Sequence, residues 1–528
     1  MSTPGATSYD TLPYDSIAFP QSHPDHLHVI ARLFGMRPAS PSRCRVLEIG
    51  CASGGNLIPI ATQAPESTFV GIDLSARQIA DGKAMLADLD IRNVDLRHMD
   101  LADVDESFGE FDYVIAHGVY SWIPSPVQEK LLGVCKHNLA PQGVAFVSYN
   151  TYPGWHMRSM VRDMMIYHTR QFPDMALRVQ QARALLDFLS ANVPTENSPY
   201  GMMLKVEVEI LRNSTDSYLA HEHLEDINAP VYFHEFIERA GLRGLQYLGE
   251  ADFHTMLASN FPAQVAETLR SVAPTIAQME QYMDFVRNRV FRQTLLVHQS
   301  VALNRNVVWR DVLPFHASAR LQPETRPVDL DGATFAKFKR PGDSGGINTA
   351  QPIVKAAMLI LGELWPRTMS VEELCRAARG RLAGGLAAAS SETLADDRER
   401  VCRDLLGCFA AGILELRAEP AALSTVVGDR PRADRIARYL ASRGRPFANR
   451  RHETLVLDEL SRRVVLLLDG EHDHRAIVDA VAKIAVEGGL RIEKDKQQIT
   501  DPALIRAALD GILPECYERI ARYGLLEA

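Results

Sequence analysis

The chain runs to 528 residues, with 66 acidic residues against 57 lysines and arginines and a formal charge of −9. That length exceeds what one hydrophobic core serves, and the acidic balance speaks against a nucleic-acid partner, whose phosphates require lysine and arginine clustered on one face. At 46% hydrophobic and 23% charged residues, the composition is that of a folded globular chain and excludes the fibrous and disordered classes.

The cysteines, Cys44, Cys51, Cys135, Cys375, Cys402, Cys408 and Cys516, include no C-x-x-C pair, which points to reduced thiols and no metal site. The first residues lack the basic and apolar regions of a signal peptide, and no apolar run is long enough to span a bilayer. A cytoplasmic location is therefore expected.

In chain order, an α/β unit is predicted from residue 45: a strand over 45–49, a glycine-rich turn over 50–55, a helix over 56–64 and a strand over 68–72 that ends in Asp73. A helix over 75–89, strands over 94–98 and 111–116, a helix over 127–139 and a strand over 144–149 follow. Strands alternating with helices predict a parallel sheet with helices on both faces.

After Trp155 the period changes. Met157, Met160, Val161, Met164 and Met165 fall at helical spacing, and Met175, Val179, Ala182, Leu186, Leu189 and Val193 recur at fours and threes, the seam of one helix packed on another. A helix over 232–240, Gly241 and an apolar run over 242–248 then read as the helix and strand that complete the interrupted sheet. Beyond 255 the chain reads as helix-rich, with helical units over 353–365 and 371–379; Pro323, Pro327 and 341–346 mark a linker. After Pro431 come an apolar run over 464–468 and a helix over 475–486.

The divisions expected are 1–155 for the first part of a cofactor core, 156–220 for a helical insertion suited to dimerisation, and 221–255 for completion of the core. A middle helix-rich domain over 256–425 and a C-terminal domain over 426–528 follow.

The strongest chemical signal is Val46-Leu47-Glu48-Ile49-Gly50-Cys51-Ala52-Ser53-Gly54-Gly55-Asn56 followed by Gly71-Ile72-Asp73-Leu74-Ser75. A glycine-rich turn between a buried strand and a helix brings bare backbone close to a nucleoside, and an acid ending the next strand can accept from both ribose hydroxyls. Glu48, ahead of the turn, suits an amino group and a sulfonium better than a pyrophosphate.

These residues resemble the class I S-adenosylmethionine-dependent methyltransferases, whose first motif runs Glu-x-Gly-x-Gly-x-Gly. Ala52 stands here in place of the middle glycine. The resemblance implies an α/β, Rossmann-like sheet with S-adenosyl-L-methionine as cofactor, held by Glu48, Gly50, Cys51, Gly54, Asn56, Asp73 and Leu74. It also implies Asp100 and Leu101 on the adenine side and His117 closing the pocket. Asp73 could instead cap a helix, although Ser75 is the better cap.

Methyl transfer is an in-line displacement that requires alignment of nucleophile and methyl and no metal. Aromatic rings can line a channel for an amine and its methylated products. Candidates to guide the acceptor are Tyr14, in a group with Tyr9, Phe19, Gln21 and His23, then Tyr120, Ser121 and Trp122 after the fourth strand, and Asn150, Tyr152 and Trp155 after the fifth. His23, His26 and His28, like His221 and His223, lack partners at metal-ligand spacing and read as surface or core histidines.

A closer resemblance rests on Pro13-Tyr14-Asp15-Ser16, Phe19-Pro20-Gln21-Ser22-His23-Pro24, Ser148-Tyr149-Asn150-Thr151-Tyr152-Pro153-Gly154-Trp155 and Leu467-Leu468-Asp469-Gly470. These segments are similar to bacterial methyltransferases that carry a methyltransferase regulatory domain, among them the rickettsial-type lysine methyltransferases of outer-membrane protein. The resemblance implies a homodimeric enzyme that N-methylates lysines of a protein partner, with α+β, helix-rich C-terminal domains, and the acidic balance suits a basic acceptor. Rival readings are a small-molecule or natural-product methyltransferase and a non-catalytic cofactor-binding regulatory protein. The large tail weighs against the first, intact Glu48 and Asp73 against the second.

Overall fold

The computed structural model describes residues 16–342, 345–494 and 497–527. Helix α1 (Pro24–Leu33) precedes strand β1 (Arg45–Ile49), helix α2 (Leu57–Gln63), β2 (Thr68–Asp73), α3 (Ala76–Asp88), β3 (Val94–His98), β4 (Phe111–Ala116), α4 (Ser125–His137) and β5 (Leu139–Asn150). The inner strands β1, β4 and β5 are largely buried because helices cover both faces, whereas β3, at the sheet edge, alternates buried Val94 and Leu96 with exposed Asp95 and Arg97. The predicted strands match closely, but β5 is longer than expected and passes through Pro141 and Gly143.

The full sheet has seven strands in the order β3-β2-β1-β4-β5-β7-β6. Pairings from β3 to β5 are parallel, whereas β7 runs antiparallel to both β5 and β6. Strand order therefore reverses between β1 and β4, and the crevice outside their carboxyl ends is where such sheets bind ligands.

Between β5 and β6 lie α5 (Trp155–Thr169), α6 (Met175–Asn192), α7 (Pro199–Arg212), a short helix Asp216–Leu219 running into a π-helical turn Ala220–Leu224, and α8 (Phe233–Leu242). The insertion has its own apolar core, in which Val161 and Met165 meet Val179, Ala182 and Leu186, as the seam predicts, together with Leu204, Val208 and Leu211.

Strand β6 spans Leu245–Glu250; the preceding Leu242 belongs to α8 and is exposed, and the chain turns at Gly244 with φ +74°. Helices α9 (Ala263–Val272) and α10 (Ile276–Arg287) then lead to β7 (Phe291–His298). The expected end of the sheet domain at residue 255 is thus corrected, since a strand beyond it lies between β5 and β6. Its signal is masked by Arg292 and Thr294, which are fully buried polar residues on a strand face where apolar alternation would be looked for.

Strands lie where the linker is expected: Gln322–Pro323, Ala336–Lys339 and Gly346–Thr349 pair into a three-stranded sheet. Helices Pro352–Leu364, Val371–Gly380 and Ser391–Ala410 follow, and their apolar residues form one continuous core with Val46, Phe146 and Leu295 of the main sheet. The middle region is packed onto the cofactor sheet rather than tethered beside it. The C-terminal region has a separate core, built from helices Arg435–Ser442, Glu459–Leu467, His474–Val486 and Pro502–Arg522, with small hairpins at Phe447–Ala448/Thr454–Leu455 and Glu493–Lys494/Gln497–Gln498. The apolar run over 464–468 lies mostly in the second of these helices. Among the described residues no helix is long and apolar enough to cross a membrane.

Candidate cofactor site

The turn after β1 is shaped by three consecutive alternate positions in left-handed backbone: Gly50 at φ +72°, Ala52 at +49° and Gly54 at +79°. Two are glycine, where this conformation costs little; Ala52 carries a side chain into it and holds about 1 kcal/mol of strain. A Cβ on Gly50 would come within 2.5 Å of Val119 Cγ2, so glycine is needed there for space as well. The N–H groups of Gly50 and Cys51 both donate to the Ile72 carbonyl, at 2.9 and 3.1 Å, which ties the turn to β2.

Asp73, at the end of β2, accepts from Ala52 N at 2.8 Å through Oδ2 and from Ser75 N at 2.8 Å through Oδ1. Ser75 is the helix cap, accepting from Gln78 N. Asp73 therefore holds the turn against the start of α3.

Glu48 is 3% exposed. Its Oε1 accepts from Asn56 Nδ2 at 2.7 Å, while Oε2 is buried with no hydrogen-bond partner among the described residues. Burial, aided by the charge of Asp73 and opposed by the Asn56 bond, pushes its pKa up to about 8. A buried acid with an unpartnered oxygen beside a glycine turn is a fitting receptor for an ammonium group. Cys51 is buried, and its thiol is raised well above the ordinary range by burial first and by Asp73 and Glu48 next, so it is no nucleophile.

Residues 16–22 lie across the turn. Ser16 Oγ accepts from Gly55 N at 2.8 Å, Phe19 N donates to Asn56 Oδ1 at 2.9 Å, and the Phe19 ring stacks on His117 with centroids 3.6 Å apart. Desolvation holds the His117 imidazole neutral, with its pKa lowered to about 3. His23 caps α1, its Nδ1 accepting from Asp25 N. Leu74 is 39% exposed, Leu101 is buried, and Asp100 accepts from Ala102 N at 2.8 Å, capping a short turn.

On the acceptor side the structure separates the expected residues. Tyr14, with Tyr9, lies outside the described residues. Tyr120 is fully buried, packed on Tyr149 and Phe236 with its hydroxyl facing Arg239, so it supports the β4–β5 connection as a core residue. Trp155 is 1% exposed and starts α5, its Nε1 without a hydrogen-bond partner among the described residues. Trp122 is half-buried, and Asn150 Nδ2 donates to Asn228 Oδ1 at 3.0 Å. Tyr152, the other candidate after the fifth strand, is half-buried; it stacks on His156 with centroids 4.0 Å apart and meets Tyr232 at 5.3 Å.

The residue that sequence reasoning missed altogether is His452, whose Nε2 lies 2.8 Å from Asn56 Oδ1. It comes from the C-terminal region, and no local pattern marks it. Among the described residues no cluster of three or more histidine, cysteine or carboxylate side chains could hold a metal ion.

Three family profiles match the chain: a methyltransferase domain over residues 47–145, a "Predicted methyltransferase regulatory domain" over 215–298, and a "PKMT, C-terminal winged helix domain" over 429–525. The Rickettsia prowazekii protein RP789 is 34% identical over 524 residues, covering 98% of this chain and 93% of its own. The structure of PKMT2 from Rickettsia typhi in complex with AdoHcy is similar with a TM-score of 0.87 and 31% identity, covering 97% of this chain and 100% of that one.

This chain belongs to the PKMT family. It is an S-adenosylmethionine-dependent methyltransferase with a Rossmann-like class I core, the resemblance read from the glycine turn. In this PKMT-family chain the regulatory profile includes β6 and β7, so that region supplies two strands of the cofactor sheet itself. The C-terminal domain is a winged helix.

Proposed function

We propose that this enzyme N-methylates lysine side chains of a protein, with outer-membrane protein the acceptor its resemblance suggests, acting as a homodimer in the cytoplasm. The observation that carries the protein acceptor is the extent of the likeness to PKMT2, which takes in the insertion, the middle region and the winged helix as well as the cofactor sheet. A small acceptor would need only a lid. Supporting the homodimer, Tyr167, Phe188, Met202 and Val206 of the helical insertion are more than half exposed. Seven free, buried cysteines suit a reducing compartment.

S-adenosylmethionine supplies an electrophilic methyl on a sulfonium. Glu48 receives the ammonium through its free oxygen, Asn56 holds Glu48 in place, and Gly50, Cys51 and Gly54 present backbone. Asp73 faces the ribose, Leu74 and Leu101 flank the base, and Asp100 accepts from its amine. His117, neutral and stacked under Phe19, closes the pocket without adding a second positive charge. Trp122, Asn150 and Tyr14 guide the acceptor amine, while Tyr120 and Trp155 hold that wall by packing. Desolvation against half-buried rings favours the neutral, nucleophilic amine.

Incubating the enzyme with methyl-labelled S-adenosylmethionine and either an outer-membrane protein fraction or a metabolite extract, followed by mass spectrometry, tests this reading. Methylated lysine in protein is expected. Label confined to small molecules would overturn it.

A further inference from the structure

The hairpin Phe447–Ala448/Thr454–Leu455 of the winged-helix domain places its tip at the cofactor turn, and the tip is braced on several sides. Asn449 Oδ1 accepts from the N–H groups of Arg451 and Glu453 at 2.9 and 2.8 Å, and its Nδ2 donates to the Tyr523 carbonyl at 2.8 Å. Arg451 is buried, pairs with Glu415 and Glu453, and lies over the Trp365 ring at 4.0 Å. Thr454 Oγ1 donates to the Ala18 carbonyl at 3.1 Å, joining the hairpin to the segment that crosses the turn.

His452 occupies left-handed backbone at φ +65° and is 1% exposed. A histidine is kept in so costly a conformation only where its surroundings over-determine it. Its hydrogen-bond role follows from its neighbours. Asn56 Oδ1 already accepts from Phe19 N, and Asn56 Nδ2 faces both the Glu48 carboxyl and the Ser22 hydroxyl, so the amide cannot be turned round. The atom facing His452 Nε2 is therefore an oxygen, and Nε2 must carry the hydrogen. The imidazole is suited to this, being held neutral by burial, with Arg417 nearby reinforcing the effect.

We infer that His452 is a positioning residue for Glu48, the carboxyl that receives the cofactor: through Asn56 it fixes the amide that orients Glu48, and it makes the C-terminal winged-helix domain a working part of the cofactor site. The inference rests on Glu48 receiving the cofactor, as proposed above. It gives the winged helix a role in methyl-donor binding that is separate from any contact with the acceptor protein.

The test compares full-length His452→Gln, His452→Leu, His452→Gly and Glu48→Gln with the parent. S-adenosylhomocysteine affinity is read by calorimetry, and melting of the ligand-free protein is read alongside. His452→Gln keeps a donor at the same reach and should bind within a factor of about three of the parent. His452→Leu removes the donor and should bind about tenfold more weakly. His452→Gly relieves the left-handed backbone, so it should melt no lower than His452→Leu yet bind as weakly.

Equal affinity in the parent and His452→Leu would overturn the inference. So would equal losses in His452→Gln and His452→Leu, or weaker binding in His452→Gly only in proportion to lost stability. If Glu48→Gln binds like the parent, Glu48 itself is misassigned and the route through it falls. If Glu48→Gln is weak while His452→Leu is unaffected, only the role of His452 is lost.

Discussion

On one side of β5 the sheet is made of β1 to β4, which arrive within residues 45–116, pair in parallel and interlock through side chains that are almost wholly apolar. On the other side β7 and β6 come from residues 291–298 and 245–250, run antiparallel to their neighbours, and are joined by buried charge. Arg292 of β7, fully buried, bonds Glu250 of β6 at 2.7 Å and Asp284 and Glu280 of α10 at 2.8 and 3.1 Å, and lies over the Phe233 ring at 3.8 Å. The first half carries the glycine turn and Asp73, and the second half closes the sheet. The difference teaches that a contiguous motif can carry the chemistry while a distant ion cluster decides whether the sheet holding it is complete.

The strongest way to break this contrast is Arg292→Met, which takes the shared cation from three buried carboxyl groups and leaves Glu250 and Asp284 with Arg289 alone. Such a loss costs about 3–5 kcal/mol, so urea unfolding followed by circular dichroism should show a far lower midpoint, with the β7 side failing first. Stability near that of the parent would mean that apolar packing alone holds this half.

A middle-sized effect sharpens the account of the first half. Glu48 is an acid whose pKa is raised to about 8 in the ligand-free protein from an ordinary 4.5. It is protonated at neutral pH, and by itself it costs folded stability as pH rises from about 4.5 towards 8. An arriving ammonium favours the carboxylate, so binding should release a proton, and affinity should rise with pH by up to about tenfold per unit before levelling above pH 8. Titration calorimetry in buffers of different ionisation enthalpy measures this, and Glu48→Gln should flatten the profile.

The smallest effect expected is that of Ala52→Gly, which restores glycine at a left-handed position. It should stabilise the protein by about 1 kcal/mol or less without weakening cofactor binding. A clear loss of stability would show that the methyl group of Ala52 makes a packing contribution larger than its strain.

The first half was legible in the sequence because strand, turn, helix and acid follow one another, and Glu48, Gly50, Gly54 and Asp73 need only local geometry to converge. β7 was not, because Arg292 faces the interior and breaks the apolar alternation by which a strand is recognised. Tyr120 was legible as an aromatic residue at a strand end but not in its orientation, since which side of the sheet a ring enters depends on the packing of α8. His452 lies 396 residues from Asn56 in the chain, and nothing near it in sequence distinguishes it from the other histidines. Asp100 shows the converse: it stands out in the sequence as an acid after a strand, and in the structure it makes a local capping bond to Ala102.

The most direct measurement is calorimetric titration of Asp73→Ala with S-adenosylhomocysteine, with melting of the ligand-free variant as a control on the turn that Asp73 holds to α3. The account predicts a folded protein that no longer binds measurably. A folded variant with parental affinity would contradict the placement of the cofactor at the crevice between β1 and β4.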